Sequence, residues 1–92
     1  MTIGLDSIVV RNESCPVREV GDGLVILAAS GTATHALDEV GAFIWRQCDG
    51  HHRVAELVDA LVAAYDVERA RAADDVQGFL NDLFAADLIH EV

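Results

Sequence analysis

The chain contains no lysine. All six of its basic residues are arginines, set against sixteen acids, for a formal net charge of −10 over 92 residues. A surface of that sign repels phosphate backbones and anionic headgroups at long range, which disfavours nucleic acid and membrane surfaces as partners. Cysteine is scarce. Cys15 and Cys48 lie 33 residues apart and match neither a C-x-x-C redox pair nor a zinc pattern, so they read as two buried thiols rather than a disulfide. Proline occurs once, and no repeat, low-complexity tract or Pro/Ser-rich linker divides the chain. Long apolar runs are missing. A stretch such as Leu24–Ala29 falls far short of the roughly 20 residues a membrane-spanning helix needs. The first residues lack the basic and apolar regions of a signal peptide. The expectation is a cytoplasmic protein with no membrane partner.

The motifs of common chemistries are also missing. There is no G-x-S-x-G, no P-loop and no G-x-G-x-x-G. The four histidines, His35, His51, His52 and His90, show no H-E-x-x-H or H-x₃-H spacing. No catalytic residue, metal ligand or cofactor is therefore assigned. His51-His52 follows the Asp49-Gly50 turn and reads as a solvated helix start; His35 reads as a strand residue, either plainly at the surface or beside a bound peptide. Gly4-Leu5-Asp6-Ser7 is similar to the phosphopantetheine-attachment motif of acyl carrier proteins. A carrier, however, places that serine at the start of its second helix, whereas Ser7 precedes strand-like residues.

What the chain does hold is apolar: 52% of residues are hydrophobic, with a mean hydropathy of +0.29. A 9.9 kDa chain exposes roughly 5,200 Å² folded against roughly 14,400 Å² unfolded, enough burial for one modest core. Residues 1–92 are expected to form a single domain.

Before residue 38 the pattern is strand-like. Ile8-Val9-Val10 is a β-branched run. Cys15–Val20 carries Pro16 as its second residue, which confines it to an edge or a strand start. Leu24–Ala29 and Thr32–Leu37, separated by Ser30-Gly31, suit a tight hairpin. After residue 38 the pattern is helical. Asp38 is a natural N-cap, followed by Val40, Phe43, Ile44 and Cys48 on one face. Val54, Leu57, Val58, Leu61, Val62 and Tyr65 keep helical spacing without a miss. A third helix over residues 68–86 carries Ala72, Val76, Phe79, Leu80 and Leu83, and Phe84 widens its apolar arc enough to meet both a core and a partner. Asp74-Asp75, near its start, either complements the helix dipole or meets an arginine or lysine of a partner. Leu88–Val92 reads as an extended tail. Strands followed by helices indicate an α+β domain, and the helix spacing is compatible with a winged-helix-like arrangement.

In this order the fragments resemble the PqqD family of peptide-recognition domains. The resemblance runs from about residue 8 to residue 90. It is carried by Gly23–Leu27, by Ala36–Trp45 entering the first helix, by Asp49-Gly50 and Arg53–Leu57, by Tyr65-Asp66-Val67, and by Asp75–Leu83 with Asp87-Leu88-Ile89. Asp87 departs from the family, where glycine is common before leucine-isoleucine. The resemblance implies a three-stranded antiparallel sheet followed by three helices. It implies a non-enzymatic chaperone that binds the leader segment of a ribosomally made precursor peptide, in PQQ or other peptide natural-product biosynthesis. The leader adds as a strand and is presented to a modifying enzyme such as a radical-SAM protein, a protease or a cyclase. The expected peptide-binding residues are Thr32, Ala33, Thr34, His35 and Ala36 on the strand edge, with Asp75, Phe79, Asp82 and Leu83 across from it. The two acids would favour a leader with a basic residue. Two other readings are an acidic winged-helix interaction or DNA-associated regulator, and a subunit that completes another enzyme. Against the DNA reading, residues 68–87 hold five acids and two arginines.

Overall fold

A computed structural model describes residues 3–29, 31 and 33–92. In chain order the elements are β1 (Ile8–Arg11), β2 (Val17–Val20), β3 (Gly23–Leu27), β4 (Thr34–Leu37), α1 (Glu39–Arg46), β5 (Asp49–Arg53), α2 (Val54–Tyr65), α3 (Arg69–Ala85) and β6 (Ile89–Glu91). The fold is α+β, with two antiparallel three-stranded sheets ordered β2-β3-β4 and β5-β1-β6.

The first sheet is local. Gly21, at φ +59°, opens the turn that pairs Val20 with Gly23, a backbone conformation that costs glycine little. A Cβ at Gly23 would collide with the Leu37 carbonyl, so glycine lets β3 and the end of β4 close up. Pro16 stands just ahead of β2, which is an edge strand as the proline requires. The β3–β4 connection is longer than the two residues Ser30-Gly31: the strands stop at Leu27 and resume at Thr34, and the Ala28 amide closes the ladder on the Ala33 carbonyl at 2.9 Å.

The second sheet is built from distant segments. Ile8–Arg11 pairs with Asp49–Arg53 on one side and Ile89–Glu91 on the other. The segment around His51-His52 is thus a strand and not a helix start. Its polar side chains sit on an edge strand that is partly open to solvent, and it is held by antiparallel pairing to β1 along one side. The Gly4-Leu5-Asp6-Ser7 segment is a turn before β1, in which the Gly4 amide donates to Ser7 Oγ at 3.1 Å.

The helices start as their sequences dictate. Asp38 Oδ1 accepts from the Gly41 amide at 2.8 Å and caps α1. Glu56 Oε1 accepts from the Arg53 amide at 2.9 Å at the start of α2. Asp66, at φ 52°, ends α2 in the left-handed conformation. One buried cluster unites both sheets and all three helices, with Val9, Ile26, Trp45, Leu57, Leu80 and Ile89 among its members. Cys15 and Cys48 are free thiols inside it. Accessible surface is 5337 Å², close to the roughly 5,200 Å² expected of a folded chain of this mass. Among the described residues no helix is long and apolar enough to cross a membrane.

Candidate functional site

β4 is an edge strand, and the ladder decides which of its backbone groups are free. Ala28 and Ala33 form a hydrogen-bonded pair. In an antiparallel ladder such pairs alternate. The register Leu27↔Thr34, Ile26↔His35, Val25↔Ala36, Leu24↔Leu37 therefore directs the amides and carbonyls of His35 and Leu37 toward β3. Those of Thr34 and Ala36 point outward. The pairing between β2 and β3 agrees: Leu27 donates to the Pro16 carbonyl at 2.8 Å, so the odd positions of β3 serve β2 and the even ones serve β4.

The end of β4 borders a groove of about 950 Å³. Ala36, Leu37 and Asp38 form one rim and Glu68, Arg71, Asp75 and Phe79 the other. Val40 and Ile44 of α1 and Leu61 and Tyr65 of α2, with Val67, line the groove between them. The helical spacing of α3 explains its double use. Ala72, Val76, Leu80 and Leu83 form the buried stripe, and Arg71, Asp75 and Phe79 lie one residue round from it. Gly41 admits the Phe79 ring: a Cβ there would stand 3.4 Å from Phe79 Cε1 and 3.3 Å from Leu37 Cβ. Tyr65 lines the groove from the last turn of α2. Its hydroxyl donates to Glu39 Oε2 at 3.0 Å, and its ring meets Phe43 edge-on at 5.4 Å. Desolvation, then the Glu39 carboxylate it donates to, push that hydroxyl above its ordinary range.

The residues anticipated from sequence divide accordingly. Ala36, Asp75 and Phe79 line the groove. Ala33, Thr34 and His35 lie on or beside the edge strand without lining the groove, and Thr32 lies outside the described residues. Asp82 is exposed and continues the Asp75–Phe79 side of α3 beyond the groove. Leu83 is corrected: only 4% exposed, it belongs to the core, because it falls on the same stripe as Val76 and Leu80. Sequence reasoning missed Glu68, Arg71, Val67 and Val40, and read Tyr65 only as part of the helical stripe that starts at Val54. The signal was the short break Asp66-Val67-Glu68, which brings the end of α2 and the start of α3 to one place.

Burial pushes the Cys48 thiol up to about 12, the direction that disfavours a nucleophilic thiolate. Among the described residues no three His, Cys, Asp or Glu side chains gather as a metal site.

A free β-edge beside an apolar groove, walled by a helix, defines the class: a small α+β scaffold able to take an extended peptide as an added strand. Residues 23–89 match the family described as coenzyme PQQ synthesis protein D (PqqD), and the chain belongs to that family. It is similar to a "PqqA binding protein" of Rhodopseudomonas palustris (strain ATCC BAA-98 / CGA009), 44% identical over 48 residues, which is 52% of this chain and 47% of that protein. The PqqA binding protein of strain TIE-1 is 42% identical over the same length. The matched stretch is about half the length of these curated relatives. Among solved structures, TbiB1 in complex with the TbiA(beta) leader peptide is similar with a TM-score of 0.79 and 28% identity, over 88% of this chain and 94% of that one.

Proposed function

We propose that this protein binds the leader segment of a ribosomally made precursor peptide as a strand added to β4, and presents the peptide to a modifying enzyme. The observation that carries the reading is the pairing of free Thr34 and Ala36 backbone groups with the adjacent groove under α3. Backbone hydrogen bonds would supply affinity, and alternate side chains entering the groove would supply selection. Two relatives named for binding PqqA, and a similar structure solved with a leader peptide, support it. The role is one of binding, with the chemistry left to the partner: a radical-SAM protein, a protease or a cyclase, in PQQ or another peptide natural-product biosynthesis. A ribosomally made substrate would place the protein in the cytoplasm.

The test is an amide titration by NMR, using the labelled protein and the leader region of the precursor peptide encoded beside its gene, alone and with the neighbouring modifying enzyme. Saturable shifts confined to Thr34–Leu37, α3 and the groove floor are expected. A folded spectrum unmoved in both conditions would overturn the reading.

A further inference from the structure

We infer that the groove selects its peptide by a charge register along α3, with Asp75 as the specificity-determining residue; this rests on the strand-addition reading above. Arg71, Asp75 and Phe79 line the groove at successive four-residue steps of α3. Each step rises roughly 6 Å along the helix axis. Alternate residues of an extended peptide, the ones that share a face, are spaced about 6.8 Å apart. A strand lying along α3 therefore offers one side chain to each of the three positions. Their complement is an acid opposite Arg71, a base opposite Asp75 and an apolar anchor opposite Phe79. This spacing, acid-x-base-x-apolar, holds for either direction of the strand, read forward or reversed.

Two features give the register weight. The groove rim carries Asp38, Glu68 and Asp75 against Arg71 alone, so its field favours a basic side chain. Asp38 Oδ1 already accepts from the Gly41 amide, whereas Asp75 has only Arg71, 3.8 Å away with both side chains largely exposed, a pairing a ligand can replace at little cost. Arg71 also sits in the first turn of α3, where the helix dipole opposes a cation and no side chain caps the helix. Arg69, its neighbour, is matched by Asp59 of α2. Among the described residues Arg71 has no such partner on another element, and it lines the groove.

The experiment is selection from a displayed library of random twelve-residue peptides on the immobilised protein, run in parallel on Asp75→Lys and on Phe79→Ala. The wild type should enrich Lys or Arg two residues from a large apolar residue at least fivefold over the input library. Asp75→Lys should reverse the enrichment to Asp or Glu at that position with the anchor retained. Phe79→Ala should lose the anchor preference. Peptides that are enriched and shift the β4 amides, yet show no charge preference in either protein, would overturn the register and leave strand addition standing. No enrichment beyond input on the wild type would overturn both.

Discussion

Asn12 Nδ2 donates to the carbonyl of Asp87 at 2.8 Å, and Asp87 holds that carbonyl in place with a φ of 61°. The contact ties the end of β1 to the turn that launches β6. The turn requires the left-handed region, which glycine enters without a Cβ clash. Asp87→Gly should therefore raise stability by about 1 kcal/mol, read as a higher urea midpoint at unchanged slope. Among the described residues the one side-chain pairing lost is the exposed one with His90 Nδ1 at 3.6 Å, of little worth. A lower midpoint would show that the aspartate side chain, and not the backbone, decides the turn.

Phe79 and Leu80 are neighbours with opposite duties. Phe79 is half-buried at the groove, and Leu80 is fully buried. Leu80→Ala should destabilise the fold by about 2–5 kcal/mol. Phe79→Ala should leave the fold intact and weaken leader affinity by about tenfold or more, each tenfold being ~1.4 kcal/mol. Calorimetric titration beside urea unfolding separates the two. Unfolding of the Phe79 variant would place that ring in the core.

Proline along β4 should act by position. At Thr34 or Ala36 it removes an amide that faces outward, so peptide binding should fall while the β3–β4 ladder keeps its bonds. His35→Pro removes an amide directed at β3 and should destabilise the sheet itself. Binding assays and amide exchange on all three variants check the pattern. Unchanged binding at both outward positions contradicts strand addition.

Asp49 and His52 predict a pH dependence on the second sheet. His52 Nδ1 lies 2.9 Å from Asp49 Oδ1. Hydrogen bonding from the His51 amide, then from His52, lowers the Asp49 carboxyl below its ordinary 3.8. The same bond, then the Asp49 charge, raises His52 above its ordinary 6.5. The depressed acid contributes above 3.8 and loses its contribution as pH falls through its folded value. The raised histidine contributes fully below 6.5 and loses its contribution as pH rises through its folded value. The pair is thus fully present between 3.8 and 6.5. His52→Asn should lower the urea midpoint more at pH 5.5 than at pH 8. An equal loss at both would assign the residue a packing role alone.

The parts of the molecule legible in its sequence are those decided locally. The N-cap at Asp38, the unbroken stripe from Val54 to Leu61 and the edge character of the Pro16 segment follow from spacing and residue type. β5 was not legible, because Asp-Gly-His-His-Arg has no apolar alternation. Its place comes from backbone bonds to β1, some forty residues earlier in the chain. The groove was half legible. The wide apolar arc of α3 announced two contact faces, yet the split between Phe79 and Leu83 depends on how α3 is rotated against the core. Glu68 and Arg71 reach the groove through the left-handed turn at Asp66, a tertiary consequence that residue periodicity does not encode.

The most direct measurement is amide hydrogen exchange across β4 with and without the leader peptide. In the free protein His35 and Leu37 should be protected by β3, and Thr34 and Ala36 should exchange quickly. With leader bound, Thr34 and Ala36 should become protected as their amides gain strand partners. Tight binding that leaves both amides in fast exchange would contradict strand addition at this edge.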